Sequence, residues 1–313
     1  MTTKVIERLP NEEYHRGDDY SGYISSSQLR NYLVSPAYYK RKLSEPNETT
    51  PAMELGTLVH DALEFIHHTG DFSLSAWHEC KAVFEPPVNP STGIPYGATT
   101  KKYAEAYQQL LETADGKQIV PKESLYIAHS IARSVENDLW MSRLIIKGDA
   151  EHSLFVEDGL WKAKIRPDLL LSSALIDYKT FNGDINESKL VNRVLDSGYH
   201  IQMSMYQDII HEVTGRWVTP YLLFMQTCEP YGVQMMSLNQ FCYTVAEGQM
   251  VNDMTIGARE YQMLKGLHLH CLEKNEWPGA DIFVQPDDKG RRIMEPDVPA
   301  YAINKIKQYY LAV

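Results

Sequence analysis

The sequence predicts an α/β (α+β) fold: a central mixed sheet flanked by helices, with a helical N-terminal half packed on it. Two observations predict it. Helical periodicity dominates up to about residue 148, and from Glu151 the pattern changes to short segments with alternating or continuous apolar residues, which helical periodicity then interrupts once and follows once more. No internal repeat is present.

Each element has a local signal. Ser25, Ser26 and Ser27 supply a helix cap, and the segment Gln28 to Leu43 carries Leu29, Tyr32 and Leu33 before Pro36 interrupts the pattern, so two short helices meet near Ser35-Pro36. Met53 to His68 sets Leu55, Leu58, Val59, Ala62, Leu63 and Ile66 at helical spacing. Residues 85–100 concentrate prolines and glycines and predict a surface loop, with helices following at about 100–114 and 121–146. Residues 151–158, 160–172 and 174–180 are separated by Asp158-Gly159 and Ser172-Ser173, which predicts three consecutive strands in an antiparallel meander. A helix is expected over about 187–214, strands over about 217–226 and 231–238, and a long amphipathic helix with a break from about Leu238 to Lys274. The organisation read from this is a lead-in over 1–24, a main domain over 25–276 (helical part 25–148, sheet core 149–276) and an irregular arm over 277–313 that ends in a short helix.

Composition bounds the function. The chain has 313 residues with 30 Lys plus Arg against 41 Asp plus Glu, a formal charge of −11 that argues against a partner covered in phosphates. With 43% hydrophobic and 23% charged residues it is an ordinary globular chain. No stretch reaches the apolar length that crosses a bilayer and the N-terminus has no apolar leader, so a soluble, cytoplasmic protein with no membrane partner is expected. Cys80, Cys228, Cys242 and Cys271 are too scattered for a disulfide framework and form no C-x-x-C pair. The 20 tyrosines serve either packing or stacking on nucleobases.

The chemistry concentrates where Ile165-Arg166-Pro167-Asp168 is followed nine residues later by Asp177-Tyr178-Lys179. On a strand, residues two apart share a face, so Asp177 and Lys179 project together while Tyr178 points away. A hairpin turn can bring Asp168 beside Asp177. Two carboxylates suit Mg²⁺, with Mn²⁺ able to substitute, and the lysine can orient or deprotonate a water and offset charge on a phosphorane. The acidic-x-Lys spacing recurs at Glu79/Lys81, Asp115/Lys117, Glu187/Lys189 and Asp287/Lys289, so position in a strand after Pro-Asp distinguishes Asp177/Lys179; a strand-edge ion pair is the competing reading. Gln202 and Tyr206 stand at i and i+4 on a later helix, either a solvated face or part of the site. His60 and Glu64 have the same spacing in the early helix, where a lone histidine among Leu58, Val59 and Leu63 also suits a hydrogen-bonded core position.

Together, Ser26-Ser27-Gln28-Leu29 with Ser35-Pro36 and Tyr38-Tyr39, Gly56 through Glu64 (GTLVHDALE), Arg166-Pro167-Asp168, Ile176 through Thr180 (IDYKT) and Gln202-x-x-x-Tyr206 resemble the PD-(D/E)XK nuclease superfamily, RecB-like group, of the exonuclease VIII (RecE) and lambda-exonuclease type. Order and spacing agree across about residues 25–226. The resemblance implies a restriction-endonuclease-like core and a metal-dependent 5′–3′ double-strand DNA exonuclease that leaves 3′ single-stranded tails for recombination, in phage or prophage style. It implies Asp168, Asp177, the Tyr178 carbonyl and His60 at the metal, Lys179 acting on the water, Gln202 and Tyr206 positioning site and strand, and Glu64 and Glu151 as supporting carboxylates. It further implies double-stranded DNA ends as substrate, a homo-oligomeric ring (trimer or tetramer) and a single-strand annealing protein as partner. Ser35 stands where several relatives carry a cluster-ligating cysteine, so no iron–sulfur cluster is expected. No G-x-x-x-x-G-K-[ST] loop is present, so no nucleotide is expected. The alternatives are a CRISPR-associated endonuclease or end-trimming nuclease, and a catalytically idle DNA-binding protein of the same fold.

The charge of −11 is then reconciled with DNA by local positive charge. Lys162, Lys164 and Arg166 near the site, Lys40, Arg41 and Lys42 beside Tyr38-Tyr39, and Lys101 and Lys102 are the candidate phosphate contacts, with the negative charge expected on the outer surface and the C-terminal arm.

Overall fold

The computed structural model describes residues 2–283 apart from 7, 8, 17, 47 and 48; the short helix expected at the end of the chain lies outside the described residues. The first half contains Thr2–Ile6 (β1), Asn11–Arg16 (α1), Ser26–Arg30 (α2), Pro36–Lys42 (α3), Pro51–Thr69 (α4), Ser75–Glu79 (α5), Lys81–Phe84 (β2), Lys101–Thr113 (α6), Gln118–Pro121 (β3), Lys122–Asn137 (α7) and Leu139–Lys147 (α8). The second contains Asp149–Ala150 (β4), Ser153–Asp158 (β5), Trp161–Ile165 (β6), Leu169–Leu170 (β7), Ala174–Phe181 (β8), Glu187–Asp196 (α9), Tyr199–Thr214 (α10), Thr219–Gln226 (β9), Val233–Ser237 (β10), Thr244–Ala246 (β11), Gln249–Asn252 (β12) and Ile256–Lys274 (α11). Among the described residues, no helix is long and apolar enough to cross a membrane.

The helix starts follow the caps in the sequence. Ser25 and Gln28 form a reciprocal capping box on α2, Ser35 caps α3 ahead of Pro36, and Thr50 caps α4, which Gly70 closes in the left-handed conformation. Two expected helices are each broken in two. Asp138 accepts the N–H groups of Trp140 and Met141 and so starts α8 afresh after α7, and Gly198, at φ 64°, turns the chain between α9 and α10.

A five-stranded sheet of order β10-β9-β8-β7-β4 forms the centre. β8 and β9 are parallel, joined over α9 and α10, and the other pairs are antiparallel, so the sheet is mixed as expected. The meander expectation needs correction, because residues 160–172 are not one strand: β6 pairs with β5 in a separate sheet of order β1-β5-β6, while β7 joins β8. Continuing the β7–β8 register would set Pro167 opposite Tyr178, and proline has no N–H to offer a ladder. Residues 239–255 are a second correction. The expected helix from Leu238 is preceded by the hairpin β11–β12, turned by Glu247 and Gly248 at positive φ, and only α11 is helical. At Gly257 a Cβ would lie 2.5 Å from the Phe241 carbonyl oxygen and 2.6 Å from that of His200, so α11 can lie this close to the start of α10 only with glycine there. The edge strand β1, the parallel pair β2–β3 and the short α5 had no expectation in the sequence.

Hydrophobic layers cover both faces of the central sheet. Leu175 of β8 and Leu222 and Phe224 of β9 pack with α9, α10 and α11, while Ile176, Tyr178, Leu223 and Met225 pack with α4, α7 and α8. The alternation along β8 and β9 is what a doubly covered sheet requires. Within the first layer the Tyr32 hydroxyl meets His268 Nδ1 at 2.7 Å, and burial pushes His268, 4% exposed, down to about 4. The folded protein keeps this ring neutral down to about pH 4, whereas an unfolded histidine takes its proton near about pH 6.5. The unfolded state therefore binds more protons in that window, and stability falls as pH falls through it. We expect His268 to remove about 2 kcal/mol between pH 8 and pH 5. In His268→Gln, which keeps an acceptor for Tyr32, urea midpoints at the two pH values should move closer together than in wild type; an equally steep dependence would assign the loss to other groups.

Candidate active site

β8 sets the first half of the site. Its alternation aims Asp177 and Lys179 at α10 and sends Tyr178 into the opposite layer. Lys179 Nζ is ion-paired with Asp177 Oδ2, and Gln202 Nε2 donates to Asp177 Oδ1 at 3.0 Å. One turn on, the Tyr206 hydroxyl donates to the Arg166 carbonyl at 3.4 Å and so ties α10 to the segment that breaks between β6 and β7. Gln202 and Tyr206 are both buried, which excludes the solvated-face reading of that helix.

The break itself delivers Asp168. Its Oδ2 accepts the Tyr178 backbone N–H, standing in for the ladder bond that strand β7 does not reach far enough to make. Its Oδ1 is 3.0 Å from Nδ1 of His60, which α4 brings from the other face of the sheet and whose ring meets Tyr178 edge-on at 5.7 Å. His60 is thus neither a plain core residue nor a free surface ring. Glu151, between β4 and β5, takes φ 54°, an uncommon conformation for a residue with a side chain, and its carboxylate joins the group. Donor atoms of His60, Glu151 and Asp168 all lie within 4.8 Å of one another.

The electrostatics follow from crowding negative charge in a buried place. Burial works against the Asp168 carboxylate, but the charge and hydrogen bond of His60, with Lys179 and the Tyr178 N–H, outweigh it and hold its pKa below the usual range. Asp177 goes the other way: burial lifts it and Asp168 adds to the lift, against the pull of Lys179. Burial opposes protonation of His60, yet the Asp168 charge raises its pKa overall. Lys179 is likewise raised, with Asp177, Tyr199 and Asp168 overcoming burial. Glu151 is pushed up to about 8 by burial and by the Asp168 charge, with Arg166 opposing and Glu64 adding. A pocket that cannot keep all its carboxylates ionised on its own, with an imidazole beside them, is a donor set that fits a divalent cation. Asp168, His60 and Glu151 face one another directly, and Asp177 would join them by exchanging its Lys179 pair for the ion. Tyr178 contributes its backbone N–H to Asp168, and Glu64 lies one turn beyond His60 on α4, 3.7 Å from His68 Nε2.

The basic residues are distributed differently from the expectation. Lys164 is buried, with its ammonium donating to the carbonyls of Tyr14 at 2.6 Å and Tyr20 at 3.3 Å, and Arg166 donates to Leu9 O and Ser153 Oγ, each at 2.9 Å. Both are therefore corrected from phosphate contacts to anchors for Leu9, Tyr14 and Tyr20, which pack with Phe155 of β5. Lys162 is paired with Glu157 at 2.6 Å. Arg41 and Lys42 share Glu45 and flank the Tyr38 ring, Lys40 lies over Trp277, and Lys101 pairs loosely with Glu105 while Lys102 lies over Tyr96. These surface groups on α3 and α6 remain exposed.

Residues 25–280 match the family described as a PDDEXK-like domain of unknown function (DUF3799). The chain belongs to that family. Its fold is shared by a crystal structure of a protein from Eubacterium rectale named as a candidate exonuclease, with 16% identity and a TM-score of 0.54 over 95% of this chain and 98% of that one. No curated protein matches the sequence. The PDDEXK-like assignment gives the restriction-endonuclease-like fold, and enzymes of this kind generally use divalent metals. Two neighbours of the site had no expectation in the sequence: Tyr199, whose ring centroid is 4.8 Å from Lys179 Nζ, and Arg30, which feels the Asp177 charge and donates to Ser197 O; the signal for Tyr199 was available, since it stands three residues before Gln202 and seven before Tyr206 on one helix face.

Proposed function

We propose that this PDDEXK-like protein is a Mg²⁺-dependent double-strand DNA exonuclease that degrades one strand from the 5′ end and leaves a 3′ single-stranded tail for recombination. The observation that carries the nuclease reading is the joining of Asp168, Asp177 and Lys179, with Gln202 and His60 as their direct partners, in a chain of this family. Polarity and product rest on the resemblance of the GTLVHDALE helix and the IDYKT strand to the exonuclease VIII and lambda-exonuclease type. The homo-oligomeric ring, of three or four copies, and the single-strand annealing partner are part of the same proposal.

A divalent ion held by Asp168, Asp177, His60 and Glu151 would supply Lewis acidity to the scissile phosphodiester and to the attacking water. The residues of the chain do the rest. Asp168 is held in one orientation by the Tyr178 N–H and His60, so its carboxylate is preorganised rather than recruited. Gln202 fixes Asp177. Lys179, as an ammonium, orients the water and offsets charge that develops on the phosphorane, and Tyr206 secures the carbonyl of Arg166, two residues before Asp168.

A time course with Mg²⁺ on linear duplexes labelled at the 5′ or the 3′ end tests this. We expect early release of the 5′ label, retention of the 3′ label on a shrinking duplex, and intact covalently closed circles. Early release of the 3′ label would reverse the polarity, and linearised circles would make the protein an endonuclease.

A further inference from the structure

We propose that Tyr199 is a positioning residue for Lys179, holding the ammonium over its ring face when Asp177 is engaged elsewhere. This deepens the nuclease reading above and rests on it only for its consequence in catalysis.

Lys179 has two partners in the site: the Asp177 carboxylate, and the Tyr199 ring, whose centroid is 4.8 Å from Nζ. The two contacts differ in what they compete for. A carboxylate that also serves a divalent ion gives up part of its hold on an ammonium, whereas a ring face attracts the ammonium through its quadrupole and offers no oxygen ligand to a hard, strongly hydrated divalent ion. The ring is thus the restraint that survives loading of the site. Without it a four-carbon side chain regains rotamer freedom just where a fixed direction is needed.

The surrounding structure holds the ring in place. Tyr199 is the first residue of α10, and with Gln202 and Tyr206 it forms a row at i, i+3 and i+7 facing β8, so one helix face positions Lys179, Asp177 and the Arg166 carbonyl in turn. The corner before it is clamped from α2: an Arg30 guanidinium N–H donates to Ser197 O, and a Cβ on Gly198 would lie 2.8 Å from Arg30 Cδ. Gly198 also needs its left-handed φ of 64° to turn the chain there. Tyr199 itself is half-buried against the layer of α9, α10 and α11.

The test combines a readout free of activity with kinetics. In metal-free protein with ¹³C-labelled lysine, the ε-methylene signals of Lys179, assigned by their loss in Lys179→Met, should be shifted upfield by the ring. That shift should persist in Tyr199→Phe and vanish in Tyr199→Leu. On end-labelled duplex, Tyr199→Leu should lower kcat roughly ten-fold with KM unchanged, and Tyr199→Phe should stay within about two-fold of wild type. Tyr199→Met, longer and unbranched, takes the place of the leucine variant if that one does not fold. An unshifted Lys179 signal in the wild type, or a phenylalanine variant as impaired as the leucine one, overturns the proposal. If the wild type cleaves no DNA, the nuclease reading fails while the resonance still decides whether Tyr199 holds Lys179.

Discussion

Asp168→Asn is expected to lose about 10³-fold or more in DNA cleavage and about 10²-fold in Mg²⁺ or Mn²⁺ affinity while remaining folded. Asp168 sits where the two halves of the site meet, accepting the Tyr178 N–H on one oxygen and facing His60 with the other. The amide has the same shape and can still accept the Tyr178 N–H, so the local turn has no reason to collapse. It lacks the charge that makes the donor set attractive to a cation. Calorimetric titration with the metal, end-labelled duplex turnover and a thermal melt give the three numbers. Metal affinity equal to wild type would remove Asp168 from the ligand set, even if cleavage were lost.

Lys179→Met is expected to separate the same quantities differently. Cleavage should fall about 10²- to 10⁴-fold, because the positive charge beside the reacting phosphate and water is gone. Metal affinity should hold or rise, since Asp177 is released from its ion pair. Stability without metal should drop by about 3–5 kcal/mol, because Asp177, 3% exposed, then carries a buried carboxylate without its cation. Adding Mg²⁺ should recover much of that loss, so the rise in Tm on metal addition should be larger in the variant than in the wild type. Equal rises in the two proteins would mean that Asp177 does not reach the ion.

The parts of this molecule that could be read from residues are those whose signals are local. Caps at Ser25 and Ser35, the helical stripe from Leu55 to Ile66 and the strand alternation around Asp177 all act within a few residues of themselves, and each element formed. The closeness of Asp168 to the Asp177–Lys179 strand was legible in the same kind of signal, Pro-Asp at hairpin distance from Asp-x-Lys. What was misread depends on contacts between distant segments. Trp161 to Leu170 looks like one strand until Pro167 divides it between two sheets. Lys164 and Arg166 look like cations for phosphate until the carbonyls of Leu9, Tyr14 and Tyr20 come down on them. Residues 239–255 carry enough apolar periodicity to suggest a helix, and only the turn at Glu247-Gly248 and the packing against Gly257 reveal a hairpin followed by a close crossing. Of the cations expected to meet phosphate, Lys40, Arg41, Lys42, Lys101 and Lys102 stay exposed, whereas Lys164 and Arg166 are taken up by backbone carbonyls.

The placement of the site across the central sheet has a mechanical side. His60 belongs to the layer of α4, Gln202 and Lys179 to the layer of α10, and Asp168 stands at the seam where the chain changes sheets. An ion bound there would act as a rivet through two plates, each with its own hydrophobic filling. A slip of about 1 Å of either plate spreads the donor atoms apart long before either core melts. Substitutions deep in one helical layer, remote from DNA, would then announce themselves first as a loose grip on the metal, and the loaded protein would be the stiffer one.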